Sequence, residues 1–232
     1  MVTKKPEISV LIVNYKQEKD LKSLLKGIPS FLKGLTYEIL VFDNSSELDK
    51  SNQYKLFSLN KNIGYGSAIN YLSLKARGEY LLILNADVSF KGTLKPYFKN
   101  FKDNQDFSKG ILSLGKPDVL YFLPLLSSFR VAKRFSSYAF LIPTNLFRGV
   151  GGFDWNYFMY FEDDDLAYKL KKLNIHSLFL DSPLVVHKKT YTNTSFKMRK
   201  KYYYKSLLYF LGKNKKPWGY LFAPLIYLKI KI

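Results

Sequence analysis

The chain is predicted to be an α/β protein built on a mostly parallel central sheet flanked by helices. Three observations carry that prediction. Continuous apolar runs rich in β-branched residues, such as ISVLIVNY and EYLLILNAD, suit strands buried on both faces. Segments with helical apolar spacing alternate with them, the pattern of a parallel sheet. Tyr15, Asp43 and Asp87 stand where three of the runs end, and open α/β sheets bind ligands beyond the carboxyl ends of their strands.

Taken in order, the first strand is ISVLIVNY, and the helix after it spans Glu18 to Leu32, with Leu21, Leu24, Leu25 and Ile28 on one face. YEILVFD is the second strand and ends in Asp43-Asn44-Ser45-Ser46; YKLFSL is a short third. Gly64 to Ala76 reads as a loop running into a helix. EYLLILNAD is the fourth strand, and its period of two sets Asn85 and Asp87 on one side. Residues 105–136, with Pro117 and Pro124, are expected to form loops or short strands, and RFSSYAFLIP another strand. Leu166, Leu170 and Leu173 share a helix face behind the acids of YFEDDDLAYKL. HSLFL is a strand followed by DSPLVVH, and 195–212 and 218–232 suit two amphipathic helices.

A chain of 232 residues with 47% hydrophobic and 17% aromatic residues is long and apolar enough for one sizeable core. The absence of cysteine excludes disulfides and thiolate–metal sites and fits a cytoplasmic location. The start, MVTKKPEISVLIVNYK, lacks the features of a signal peptide, and no run approaches the ~20 apolar residues of a membrane-spanning helix. The formal net charge is +19, but it is uneven: residues 188–232 carry twelve Lys/Arg and no acid, and the remaining residues carry 25 basic against 18 acidic groups. The same tail holds Tyr202, Tyr203, Tyr204, Tyr209, Phe210, Trp218, Tyr220, Phe222 and Tyr227. Basic charge beside interfacial aromatics suits an anionic membrane surface; nucleic acid is the alternative, and a solvated lysine-rich helix face is the plain structural account.

Several motifs bear on chemistry. NIGYGSAIN has Gly64 and Gly66 at the first two positions of a dinucleotide-binding fingerprint, but Ile69 takes the third, so the fingerprint fails; there is no phosphate loop of the GxxxxGK[ST] type. In LNADV, Asp87 suits a hard divalent cation completed by phosphate oxygens. His187 after PLVV is structural unless the fold brings it to Asp87. The run Glu162–Asp165 is the sharpest anomaly in so basic a chain. A helix N-terminus accommodates one or two acids; four ask for a further role.

The ordered set VLIVNYK, VFDNSS, NIGYGSAIN, LLILNADV, VGGFDWNYFMYFEDDDLAYKL and PLVVH resembles the family 2 glycosyltransferases of GT-A fold, in particular their rhamnosyltransferase and galactofuranosyltransferase-like branch, over about residues 7–190. The resemblance implies a GT-A nucleotide-diphospho-sugar transferase domain over 1–194 and a basic, aromatic helical extension over 195–232. It implies donor contacts from Tyr15, Asp43, Asn62, Gly64, Asn70, Asn85 and Asp87, and a Mg²⁺ or Mn²⁺ ion held by Asp87 and His187. It sets Gly151, Gly152, Asp154 and Trp155 beside the acceptor, and Asp163 as catalytic base with Glu162 beside it. Asp165 matches the acid at the following helix start. Trp155 replaces a frequent acid, Lys169 a frequent arginine, and Tyr138 a frequently small residue.

The implied activity is metal-dependent transfer, with inversion, of a sugar from a nucleotide-diphosphate donor (dTDP-rhamnose first, a UDP-sugar second) to a hydroxyl of a lipid-linked or cell-surface glycan. That places the enzyme in cell-envelope polysaccharide biosynthesis, cytoplasmic and peripheral on the inner face of the plasma membrane, with no nucleic-acid partner. Packed carboxylates raise one another's proton affinity, which suits a base. A nucleic-acid-binding protein gives no reason for the acidic run, and a sugar nucleotidyltransferase would need a glycine-rich loop after the first strand. A retaining glycosidase needs neither nucleotide nor metal; a catalytically dead relative would not need Asp87, Asp163 and His187.

Overall fold

The computed structural model describes residues 5–104, 108–116, 118–119, 133–188 and 195–214. The elements in chain order are β1 (Ile8–Asn14), α1 (Glu18–Phe31), β2 (Tyr37–Asp43), β3 (Lys55–Phe57), α2 (Tyr65–Lys75), β4 (Tyr80–Asn85), β5 (Val88–Phe90), α3 (Lys95–Asp103), β6 (Ile111–Ser113), β7 (Asp118–Val119), β8 (Lys133–Arg134), β9 (Ala139–Pro143), α4 (Thr144–Gly149), α5 (Glu162–Lys172), β10 (Ser177–Phe179), β11 (Val185–His187) and α6 (Phe196–Lys213).

Seven strands form the central sheet in the order β10-β6-β9-β4-β1-β2-β3. β1 pairs in parallel with β2 and β4, and β2 with β3; β9 runs antiparallel to both β4 and β6. The apolar runs are continuous because both sheet faces are covered. Val10 and Ile12 point into a cluster with Leu21, Leu24 and Ile28 of α1 and Phe98 and Phe101 of α3. Leu11 and Val13 point the other way, to Ile69 and Leu72 of α2, Phe147 of α4 and Leu166 and Leu170 of α5. Burying each such side chain is worth about 1.5–3 kcal/mol, so the two-faced pattern of β1 fixes its place in the interior of the sheet, between β4 and β2. A separate antiparallel pair, β5 with β11, sets His187 opposite Val88, and Phe90 of β5 stacks on Phe31 of α1 with ring centroids 4.1 Å apart.

The expected α/β architecture with a mostly parallel sheet is therefore present, and the structure corrects several details. Within RFSSYAFLIP only Ala139–Pro143 joins the central sheet. Residues 95–103 form a helix that carries only two buried apolar positions, Phe98 and Phe101, too few for a visible period. Asn85 and Asp87 do not share an extended segment: β4 ends at Asn85 and the chain turns at Ala86-Asp87 into β5. Leu173 lies past the end of α5 and is exposed.

The tail helix expected at 195–212 is present. Over its described part the tail is α6, capped by Ser195, whose hydroxyl accepts from the Met198 amide at 3.3 Å. α6 docks on the segment that precedes α5. Phe210 packs on Phe161, Tyr209 on Tyr157 and Tyr202 on Phe158, and the Ser206 hydroxyl donates to the Met159 carbonyl at 2.8 Å. A boundary at 194/195 thus cuts through a packed contact. The second tail helix expected at 218–232 lies outside the described residues. Among the described residues no helix is long and apolar enough to cross a membrane.

Candidate active site

The carboxyl ends of β1 and β2 meet in register, Asn14 opposite Asp43. Asp43 accepts from Asn14 Nδ2 at 2.9 Å, from the Ser45 amide and hydroxyl at 3.0 and 2.6 Å, and from the Glu47 and Leu48 amides at 2.7 and 2.8 Å. Burial opposes ionisation here, yet the hydrogen bonds from Ser45, Asn14 and Leu48 outweigh it and hold the carboxyl below its ordinary pKa. Asp43 is thus an anionic knot that shapes the loop after β2. Asn14, rather than Tyr15, is the β1 residue tied to it; Tyr15 follows the strand and is half-buried.

The NIGYGSAIN segment is built onto this loop. Asn44 donates to the Gly64 carbonyl at 3.3 Å and accepts from the Ile63 amide at 3.0 Å; Asn62 accepts from the Gly64 amide at 2.9 Å. Gly64 has φ +83°, and a Cβ there would overlap the Phe158 carbonyl oxygen, so backbone meets backbone where α2 begins. Asn70 faces away from this loop: its amide group donates to the Phe153 carbonyl at 2.7 Å and accepts from the Phe153 amide at 2.9 Å. A residue expected on the donor therefore clamps the GGFD turn, where Gly152 has φ +61°.

At the end of β4 the turn presents Asp87, buried, with Oδ1 at 3.0 Å from His187 Nε2. One hundred residues separate them; the β5–β11 pair and a Lys188 amide to Asp87 carbonyl hydrogen bond of 2.9 Å bring them together. Tyr138 stacks on the His187 ring with centroids 4.9 Å apart and planes within 9°, and its hydroxyl accepts from the Lys116 amide. The aromatic that stands in a frequently small position is thus a brace for the histidine. Asn85, half-buried, donates its backbone amide to the Tyr138 carbonyl at 3.0 Å.

All four acids of Glu162–Asp165 lie in the first turn of α5 and are buried. Tyr160 and Phe161 adopt positive φ, 71° and 68°, to start the helix there. Asp163 accepts from the Asp164 amide at 3.0 Å, and Gly66 of α2 has Glu162 as a near neighbour. Asp165, 1% exposed, is held by Lys213 Nζ at 2.7 and 2.8 Å on its two oxygens and by Lys169 at 3.4 Å. Lys213 also reaches Asp154 at 2.6 Å, which in addition accepts from Tyr209 and Asn156. Burial resists the Asp154 charge, but Lys213, Asn156 and Tyr209 bring its pKa down to about 2. Asp154 is thus committed to structure, while its neighbour Trp155 is 81% exposed.

Tyr65, at the start of α2, has its hydroxyl buried within electrostatic reach of both acidic groups. Burial, and then the carboxylates of Glu162, Asp163 and Asp87, push its phenol far above the ordinary value. Asp87 on the β4–β5 turn and Glu162 and Asp163 in the first turn of α5 therefore all act on one phenol. Among the described residues no group of three or more His, Asp or Glu is arranged to hold a cation. The Asp87–His187 pair offers one hard oxygen and one imidazole nitrogen, a set that fits Mn²⁺ or Mg²⁺ when diphosphate oxygens complete the shell. The large open groove of about 1060 Å³, lined by Arg77, Glu79, Lys109, Thr144 and Arg148 among others, lies at the opposite edge, where β4 begins and β9 ends.

The sequence motifs named Asp87, His187, Glu162 and Asp163; the structure adds Asn14, Asn44 and Lys213 to their surroundings. Asn14 was legible as the polar end of a buried strand. Lys213 had no signal among six basic residues of one helix.

Comparison with known proteins bears on the family and the fold. The sequence profile of Glycosyl transferase family 2 matches residues 9–166. A dolichol-phosphate mannosyltransferase of Pyrococcus furiosus is 27% identical over 114 residues, covering 45% of this chain and 32% of its own, so the chain spans about a third of that relative's length. Among solved structures, mannosyltransferase PcManGT from Pyrobaculum calidifontis in complex with GDP-Man and Mn²⁺ superposes with a TM-score of 0.64 at 14% identity, over 98% of this chain and 70% of that one. S. aureus TarS 1–349 gives 0.61 at 18%, over 87% and 63%; its complex with UDP gives 0.57 at 19%, over 87% and 65%.

Proposed function

The chain belongs to glycosyl transferase family 2, and from that premise we propose that it moves a sugar from a nucleoside-diphosphate donor to a hydroxyl group of a glycan or lipid-linked glycan. The observation that carries this reading is the approach of two acidic groups to Tyr65: Asp87, 3.0 Å from His187, and Glu162 and Asp163 at the buried start of α5. The first suits a diphosphate and the second an attacking hydroxyl.

On this reading the loop shaped by Asp43, Asn44 and Asn62 receives the nucleotide, with Asp43 acting through loop geometry because its oxygens are already engaged. Asp87 and His187 hold the divalent cation, which when bound compensates the charge of the diphosphate. Asp163 accepts the proton of the acceptor hydroxyl as its oxygen bonds to the anomeric carbon; the bond from that carbon to the diphosphate breaks, and the electron pair leaves with the nucleoside diphosphate. One base and direct displacement give inversion. Gly151, Gly152 and exposed Trp155 border the acceptor side. The exposed Phe196 and Met198 share α6 with six basic residues and no acid, which supports attachment to an anionic membrane surface on its cytoplasmic side.

The test is a donor panel with and without Mn²⁺ or Mg²⁺. It comprises dTDP-rhamnose, which the motif resemblance favours, UDP-sugars and GDP-mannose. The wild-type protein is expected to gain thermal stability with at least one donor and to turn it over. Asp163→Asn keeps the thermal shift and loses about 10²–10⁴-fold in turnover. Normal turnover by Asp163→Asn removes the base assignment, and indifference of the wild type to every donor removes the function.

A further inference from the structure

We propose that Lys213, in the last turn of α6, is a positioning residue of the active site: it ties the GGFD turn to the start of α5 and makes α6 part of the catalytic apparatus rather than an appendage. The inference deepens the transferase reading and rests on it for its kinetic arm.

The GGFD turn and the start of α5 both end on one ammonium group, supplied by α6 from 48 residues beyond Asp165. Lys213 Nζ lies 2.6 Å from Asp154 Oδ2, and 2.7 and 2.8 Å from the two oxygens of Asp165. Asp165 is almost wholly buried, and a buried carboxylate needs a paired cation. Lys169 does not replace Lys213: it stands 3.4 Å from Asp165 and spends a hydrogen bond of 3.1 Å on the Gly152 carbonyl. The groups around Lys213 are Asp154 and Asn156 from the GGFD turn, Asp165 and Lys169 from α5, Tyr209 from α6 itself, and the Tyr157 ring 5.9 Å away. The Tyr209 hydroxyl reinforces the same link, donating to Asp154 at 3.0 Å and accepting from Asn156 at 3.0 Å.

The consequence reaches the chemistry through α5. Asp163 and Asp165 sit in the same helical turn, so any movement that relieves an unpaired Asp165 displaces Asp163 and Glu162. A displacement of about 1 Å at a reacting group costs on the order of 10²-fold in rate. The donor side, formed by β1, β2 and the β4 turn, makes none of these contacts. Loss of Lys213 is therefore expected to lower kcat while leaving donor recognition alone.

Lys213→Met keeps the length of the side chain and removes its charge. It is expected to lower kcat 10–100-fold with donor KM and donor-induced thermal shift within twofold of wild type, and Lys213→Arg to recover most of kcat. A kcat within twofold of wild type, or a parallel loss of kcat and donor binding, overturns the proposal. Should Lys213→Met fail to fold, Lys213→Gln, which removes the charge but leaves a hydrogen-bond donor for Asp165, is read by the same criteria. Amide hydrogen exchange of the apo protein provides the arm independent of activity. Exchange over residues 152–165 accelerates in Lys213→Met while β1 is unchanged; equal protection over 152–165 overturns the proposal even if no donor is ever found. A wild type that ignores every nucleotide-sugar, with exchange altered as expected, counts against the transferase reading and not against the clamp.

Discussion

At the residue scale, the GGFD turn shows how narrow the tolerance of the site is. Gly151 and Gly152 both have positive φ, 78° and 61°, which costs a side-chain-bearing residue about 1–2 kcal/mol. The two differ in surroundings. A Cβ on Gly151 meets open space, whereas one on Gly152 would overlap Asn70 Oδ1, the atom that accepts from the Phe153 amide. Gly152→Ala is therefore expected to cost roughly 2–5 kcal/mol, the backbone strain plus a disrupted hydrogen bond, and Gly151→Ala only the strain. Urea unfolding of the two variants side by side measures the difference; equal losses would mean that Asn70 gives way freely.

At the element scale, α6 presents two faces. Its inner face packs Tyr203, Ser206 and Phe210 against the residues leading into α5, while Phe196 and Met198 are exposed among lysines. Deleting residues 195–232 would therefore remove the Lys213 clamp together with any membrane contact, and could not separate them. Deleting 215–232 leaves α6 whole. That shorter chain is expected to keep donor turnover within about twofold and to bind vesicles containing anionic phosphatidylglycerol more weakly than the full chain, through the loss of four lysines, each worth about 1 kcal/mol at an anionic surface. Vesicle co-sedimentation reads the second effect, and unchanged binding removes the tail from the membrane claim. The β5–β11 pair is the other decisive element, because a ladder of three residue pairs is what brings His187 to Asp87.

At the scale of the whole molecule, three engaged carboxylates set the acid limit of stability. Burial works against the charges of Glu38, Asp43 and Asp154, and their hydrogen bonds and cation partners outweigh it, leaving all three pKa values lowered, Asp154 to about 2. A carboxyl whose folded pKa is depressed contributes stability that is fully present above its unfolded value and is lost as pH falls through the folded one. With unfolded values of 3.8 for the aspartates and 4.5 for Glu38, the loss runs from about pH 4.5 down to about pH 2. Protonating acids also lets the excess of 37 basic over 18 acidic groups grow, which adds self-repulsion. The urea midpoint is expected to fall steadily across that window. A midpoint that begins to fall only below pH 2 contradicts these shifts.

The sequence by itself determined the layered α/β architecture, since runs such as VLIV are apolar at every position and only a strand covered on both faces accommodates that. It also marked Asp43, Asp87 and the acids of 162–165 as unusual, because each ends an apolar run or violates the charge balance around it. What it could not determine was every relation that depends on distance across the fold. The pairing of Asp87 with His187, the capture of the GGFD turn by Asn70, and the choice of Lys213 among six basic residues of α6 follow from strand order and helix docking. The physical reason is one of range: periodicity and propensity report on neighbours within a few residues, whereas a buried charge finds its partner only after the core has packed.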